Sequence, residues 1–175
     1  MGYYIIIRGH AGAGKTTIAK AVAKRLGALY ISVDKILKDH GLDVIEYDCI
    51  SERNFERANE IALKEAVPAL EKGGTVVFDG NFYHLSQLKH LKRSLPHRHM
   101  VFMLKASLEE CVKRDRERAQ GKIGEDAIRA VYGLVESVQE GEHIETGGKT
   151  EQQVEEKIVS LIPGDVRKQS GLSKP

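Results

Sequence analysis

Gly9-His10-Ala11-Gly12-Ala13-Gly14-Lys15-Thr16 decides the reading of this chain, because its fixed positions spell Gly-x-x-x-x-Gly-Lys-Thr. A β-branched and aromatic run at residues 3–8 precedes it and predicts a strand buried on both faces. From Lys15 to Leu26 the apolar positions Ile18, Val22 and Leu26 recur every four residues, which predicts a helix that Gly27 ends. Strand, glycine turn and helix in this order are the setting in which a loop wraps phosphate. Glycines at 9, 12 and 14 allow backbone geometry denied to residues with a Cβ, so successive N–H groups can surround phosphate oxygens. The start of the helix adds partial positive charge. Gly9, His10, Ala11, Gly12, Ala13, Gly14, Lys15, Thr16 and Thr17 are therefore the expected nucleotide-binding residues. Lys15 is expected on the β- and γ-phosphates, the Thr16 hydroxyl on Mg²⁺, and Thr17 near the α-phosphate. ATP and Mg²⁺ are the expected cofactors.

Working outward, strands are expected at 28–33, 75–78, 98–104 and 143–146, and helices at 35–39, 52–72, 85–95, 107–119, 125–136 and 150–162. Pro68 should kink or loosen the last turn of the 52–72 helix, and residues after Asp39 read as a mobile loop up to Ser51. Ser107 with Glu110, and Thr150 with Gln153, have capping-box spacing. Strands alternating with helices imply right-handed crossovers and a parallel sheet covered on both faces.

The 175 residues, 41% of them hydrophobic, predict one domain over residues 1–163 followed by a polar tail at 164–175. A net charge of +2 is too small to mark the whole surface as a binder of nucleic acid or membrane. No apolar run reaches the ~18 residues of a bilayer span, and the opening Met1 to Arg8 lacks a basic segment before its short apolar stretch, so a cytoplasmic location is expected. Cys49 and Cys111 stand too far apart for Cys-x-x-Cys spacing, and the histidines show no metal-ligand spacing. Neither Asp-x-x-Gly nor Asn-Lys-x-Asp occurs, which disfavours a GTPase switch.

Other positions must say where the phosphate goes. Asp34 follows a strand in Ile31-Ser32-Val33-Asp34, at the carboxyl end where an open parallel sheet binds ligands. It reads as a base for the acceptor hydroxyl, or else as the N-cap of the short helix behind it. Asp79, in Phe78-Asp79-Gly80-Asn81, can hold Mg²⁺ through water or orient an acceptor, and Gly80 would let substrate approach the backbone; the alternative is a plain turn. Asn81 is a further substrate candidate, while Phe82, Tyr83 and His84 either line the acceptor pocket or pack beneath the next loop. Arg114 and Arg118, one helical turn apart before the Gly121 to Gly124 break, read as a lid over the phosphates or as a solvated charged face. Arg53 and Arg57 share that spacing and either grip an anionic acceptor or lie on the surface.

With the phosphate loop, Ser32-x-Asp34, Asp79-Gly80-Asn81 and Cys111-x-x-Arg114-x-x-x-Arg118 in hand, residues 3–162 resemble a group of small P-loop kinases. The group contains gluconate, shikimate and adenylylsulfate kinases, zeta toxins, seryl-tRNA kinase and the phage-type polynucleotide kinase domain. The resemblance implies a three-layer α/β/α P-loop NTPase fold with a five-stranded parallel sheet and a helical lid near 114–126. It also implies Mg-ATP as donor, Asp34 as base or acceptor-orienting acid, and Arg114 and Arg118 as lid residues. Three activities lose support in detail. Shikimate kinases carry Asp-x-Asp where this chain has Ser32-Val33-Asp34, and adenylate kinases carry Phe-Pro-Arg after their Asp-Gly where it has Asn81-Phe82. Adenylylsulfate kinases carry Arg-Asp-x-Lys-Gly, of which Arg114-Asp115 keeps only the start. The expected function is ATP- and Mg-dependent transfer of the γ-phosphate to a hydroxyl of a small metabolite or nucleotide-like acceptor. The alternatives are a 5′-hydroxyl polynucleotide or tRNA-linked kinase, and a regulatory nucleotide-binding ATPase. Aromatics at 6% and no Trp give nucleic acid little to stack on, so it is not the favoured partner; no membrane partner is expected, and the chain is read as monomer or homodimer.

Overall fold

The alternation within the first strand builds the whole architecture. In the computed structural model, which describes residues 2–47, 49–119 and 121–169, Tyr3, Ile5 and Ile7 enter one buried cluster while Tyr4 and Ile6 enter another. A strand whose two faces both feed apolar cores must lie at the centre of a layered structure.

In chain order the elements are β1 (Tyr3–Gly9), α1 (Lys15–Leu26), β2 (Leu29–Ser32), α2 (Val33–Asp39), β3 (Ile45–Glu46), β4 (Cys49–Ile50) and α3 (Glu52–Glu71). Then come β5 (Thr75–Asp79), α4 (Leu85–Ser94), β6 (Arg98–Lys105), α5 (Leu108–Glu117), α6 (Glu125–Glu136), β7 (Glu142–Glu145), α7 (Glu151–Leu161) and α8 (Gly164–Gln169). Five strands form one parallel sheet in the order β2-β5-β1-β6-β7. The apolar stripes of α1 and α7 join Ile5 and Ile7, and those of α2, α3 and α4 join Tyr4 and Ile6. The fold is thus three-layered α/β/α, as the alternation of strands and helices requires.

Local chemistry sets the helix ends. Ser32, not Asp34, caps α2: its hydroxyl accepts from the Lys35 N–H at 3.2 Å, so the helix begins at Val33, two residues earlier than its pattern suggests. The Thr150–Gln153 box closes in both directions, at 3.2 and 2.9 Å. At Ser107 only half of it forms, the hydroxyl accepting from Glu110 N–H at 3.2 Å, because the Glu110 carboxylate is taken by Arg114. Pro68 does not interrupt α3, which runs on to Glu71 with Ala66 and Leu70 buried. Pro68 and Lys64 are exposed, so water can take the Lys64 carbonyl that the proline leaves unpaired.

Two segments differ from the sequence reading. The stretch read as a loop after Asp39 contains the antiparallel pair β3–β4, with Ile45 opposite Ile50. Residues 164–169, read as the opening of a polar tail, form α8, and Val166 packs into the core beside Ile158 and Ile162. Residues 170–175 of that tail lie outside the described residues.

Candidate active site

At the carboxyl end of β1 the chain turns through Gly9, Gly12 and Gly14 at φ of 145°, 87° and 87°. Only glycine adopts such angles without strain, and two of the three are also crowded. A Cβ on Gly9 would sit 2.2 Å from the Leu104 carbonyl oxygen, and one on Gly12 would sit 2.8 Å from that of Cys111. The loop is therefore wedged between β6 and α5. Inside it the Ala13 N–H donates to the His10 carbonyl at 3.1 Å, and Lys15 Nζ donates to the same oxygen at 2.9 Å. Burial lowers the Lys15 pKa, against the pull of the Asp34 and Asp79 carboxylates.

The register of the sheet brings the two acids together. Ser32 at the end of β2 lies beside Asp79 at the end of β5, so Asp34 in the first turn of α2 overhangs the same point. Asp79 is buried, and its Oδ2 accepts from Thr16 Oγ1 and from the Tyr30 hydroxyl, both at 2.8 Å. Its other oxygen, Oδ1, is buried with no protein partner among the described residues. Asp34 Oδ1 accepts from the Asn81 N–H at 3.2 Å. Desolvation pushes its pKa up to about 6, the Lys15 ammonium opposes this, and Asp79 adds to it. A Cβ on Gly80 would stand 3.1 Å from the Phe82 ring and 3.3 Å from Asp34 Oδ1, so this turn tolerates no side chain without adjustment.

One cavity of about 190 Å³ opens here, lined by Ala11, Gly12, Gly14, Lys15, Thr16, Thr17, Asp34, Asn81, Arg118 and Ile123, with Asp79 behind Thr16. Arg114 approaches from the side. Its guanidinium donates to the Gly12 carbonyl at 3.5 Å and to the Thr146 carbonyl at 3.2 Å, and it pairs with Glu110. Arg118 does not extend the helix face of Arg114. It is the extended C-cap of α5, where the chain turns off, and its Nη1 lies 3.6 Å from Asp115. Asp115 organises the segment between α5 and α6: its carboxylate accepts from the N–H groups of Ile123, at 3.0 and 3.2 Å, and of Gly124, at 3.0 Å. The Ile123 N–H is the main cause that holds the Asp115 pKa below the usual carboxylate range. Gln120, inside the expected lid, lies outside the described residues.

Several expected contacts lie elsewhere. The His10 side chain points away from the cavity and is fully buried, with its ring stacked on Tyr132 at 3.9 Å between centroids. Its Nε2 lies 2.7 Å from the Glu136 carboxylate, and its Nδ1 lies 3.1 Å from the Ala106 carbonyl oxygen and 3.4 Å from the Ala106 N–H. Burial lowers the His10 pKa. Only its backbone can serve a phosphate. Arg53 and Arg57 are exposed on α3, outside the cavity wall, and form no hydrogen bond or ion pair among the described residues. Phe82 and Tyr83 are buried, and the Tyr83 hydroxyl accepts from the Ile50 N–H at 2.9 Å, so both pack beneath the β4 loop. Tyr30, Asp115, Glu136 and Arg8 are not singled out by the sequence reading. Asp115 lies inside the charged run of α5, where nothing in the sequence marks it apart from its neighbours, and the long-range contacts of the other three leave no local signal.

A glycine loop between strand and helix, a buried lysine, and a threonine bonded to an aspartate at the end of a neighbouring strand define a P-loop nucleotide-binding site. The profile of the AAA domain family matches residues 5–138, and the chain belongs to that family. A Thermococcus kodakarensis protein named "Putative adenylate kinase" is 31% identical over 175 aligned residues, covering 96% of this chain and 90% of the relative. Shikimate kinase of Thermodesulfovibrio yellowstonii is 28% identical, with 89% and 92% covered. Among solved structures, an unliganded sugar kinase from Janibacter superposes with a TM-score of 0.76 at 14% identity, covering 99% of this chain and 100% of the other. The fold, the loop and these relatives identify the chain as a P-loop phosphotransferase of the kinase type. No helix among the described residues is long and apolar enough to cross a membrane.

Proposed function

We propose that the protein transfers the γ-phosphate of Mg-ATP to a hydroxyl of a small metabolite or nucleotide-like acceptor. The observation that supports this reading best is the placement of Asp34 on the wall of the cavity that also holds Lys15, Thr16 and Arg118. With its pKa pushed up to about 6, the Asp34 carboxyl is ionised near neutral pH and basic enough to take the proton of an acceptor hydroxyl.

Mg²⁺ fits the residues present. Asp79 offers Oδ1, a buried carboxylate oxygen with no protein partner among the described residues, and Thr16 stands beside it with its hydroxyl on Oδ2. Thr16 and Asp79 would hold the ion, directly or through water, and the ion would neutralise charge on the phosphate oxygens. The loop N–H groups and Lys15 bind the phosphates. Asp34 orients the acceptor hydroxyl and accepts its proton. Arg118 reaches the transferring group from the lid, and Arg114 steadies the loop from below through Gly12. Asn81 and Gly80 shape the acceptor side. Arg53 and Arg57 would meet only an acceptor long enough to leave the cavity.

The names of the relatives suggest AMP and shikimate as first probes, with CMP as a second nucleotide and gluconate as a sugar acid beside them. Asp34→Asn should retain ATP binding and lose acceptor-dependent transfer by about 10²-fold or more. Equal transfer by Asn and Asp at position 34 would remove the assignment.

A further inference from the structure

Arg8 immediately precedes the phosphate loop, and its guanidinium is fully buried. Four hydrogen bonds hold it, all to backbone carbonyls: Nε to Phe82 at 3.1 Å, Nη2 to Val135 at 3.1 Å, and Nη1 to Val138 at 2.7 Å and Glu140 at 3.2 Å. Three of these oxygens belong to the end of α6 and the chain just beyond it. The last carbonyls of a helix lack partners within it, and a cation suits the negative end of the helix dipole. Capping α6 at Val135 and fastening the chain that leaves it at Val138 and Glu140 account for three bonds and leave the fourth unexplained.

That fourth bond reaches a strained turn. Phe82 has φ of 45°, in the left-handed region that side chains other than glycine rarely adopt, and its ring is fully buried. The residue before it is Asn81, whose N–H donates to Asp34 Oδ1. At its other end α6 follows the Ile123–Gly124 segment that Asp115 grips, and Ile123 lines the phosphate cavity. His10, two residues on from Arg8, meets α6 again through Glu136. The end of α6 is therefore fastened on either side of Gly9, and the Arg8 guanidinium hydrogen-bonds both this end and the Asn81–Phe82 turn, beside the packing of Phe82 in one apolar cluster with Val135 and Val138.

We infer that Arg8 is a positioning residue for phosphoryl transfer: by gripping the α6 terminus and the Phe82 carbonyl together, it holds the Asn81 N–H on the Asp34 carboxylate. The inference rests on the reading of Asp34 as the group that receives the acceptor. Lysine at position 8 keeps the charge and loses the planar fork that serves two elements at once.

The test compares wild type, Arg8→Lys and Asp34→Asn by the amide proton shift of Asn81 in ¹⁵N spectra. It also compares ATP affinity and turnover of Mg-ATP with a pool of AMP, CMP, shikimate and gluconate. In folded Arg8→Lys the Asn81 resonance should move toward its Asp34→Asn position, kcat should fall about 10-fold or more, and ATP affinity should stay within about 2-fold. An Asn81 resonance at its wild-type position, or an unchanged kcat, overturns the proposal. If wild type phosphorylates nothing in the pool, these four acceptors are excluded separately and the Asn81 shift alone decides the linkage. Should Arg8→Lys not fold, hydrogen exchange in the wild type decides. The Arg8 Nε–H and the Asn81 N–H should open together, and a freely exchanging Asn81 beside a protected Arg8 overturns the inference.

Discussion

Alanine at each of the three loop glycines separates conformational strain from steric crowding. Gly12 and Gly14 share the same φ of 87°, so a Cβ costs each about 1–2 kcal/mol of backbone strain. Reduced freedom in the unfolded chain returns about 0.4–1 kcal/mol of that. At Gly14 the new methyl meets nothing within 4 Å, which leaves a net loss of about 1 kcal/mol. At Gly12 it falls 2.8 Å from the Cys111 carbonyl oxygen, and forcing backbone apart adds about 1–3 kcal/mol. Gly9 is worse placed still, 2.2 Å from the Leu104 carbonyl oxygen between two paired strands. Since about 1 kcal/mol moves the melting point of a domain this size by about 2–4 °C, Gly14→Ala should lose about 2–4 °C and Gly12→Ala roughly 5–15 °C. Gly9→Ala should lose most or fail to fold. Thermal melts by circular dichroism without nucleotide read the series. A Gly14→Ala loss equal to that of Gly12→Ala would refute the wedging of the loop against α5.

Three further outcomes rest on the same geometry. Because the folded pKa of Asp34 lies at about 6, above its ordinary 3.8, the native state holds that proton more tightly and loses stability as pH rises through this window. Asp34→Asn should accordingly melt higher than wild type at pH 7, by an amount on the order of 2–3 kcal/mol, with the gap closing toward pH 4; a constant gap would contradict the shift. Tyr30→Phe removes a 2.8 Å bond to the buried Asp79 carboxylate and should cost about 1.5–3 kcal/mol in denaturant titration, whereas no measurable change would show that this oxygen is otherwise satisfied. Asp115→Ala frees the Ile123 and Gly124 N–H groups, so trypsin should cut at Arg118 and Lys122 several-fold faster; an unchanged cleavage rate would show that other contacts hold the segment.

The parts of the fold written in local pattern were legible. The loop spacing, the fourfold repeat of Ile18, Val22 and Leu26, and the apolar strands at 75–78 and 98–104 each carry their signal within a few residues. The β3–β4 pair was not, because two-residue strands have no period and Ile45 is exposed. Helix α8 was hidden by its length of six residues, with Val166 its one buried apolar side chain. Within the site, Asp34 and Asp79 announced themselves at strand ends, and their meeting depends only on β2 lying beside β5. Arg8 and Tyr30 act through partners 49 or more residues distant, and no spacing rule reaches that far. Arg118 lines the cavity from the C-cap of α5 rather than from within the helix, a boundary that the unbroken charged run of residues 113–118 does not mark.

The most direct measurement follows the label of ATP carrying γ-³²P through the protein with separate pools of small metabolites and of 5′-hydroxyl RNA, beside a Lys15→Ala control. Label is expected in a metabolite or nucleotide, abolished by Lys15→Ala and reduced about 10²-fold or more by Asp34→Asn. Label on RNA alone would contradict the small-acceptor reading, and label released only as free phosphate would contradict the assignment of Asp34 to an acceptor.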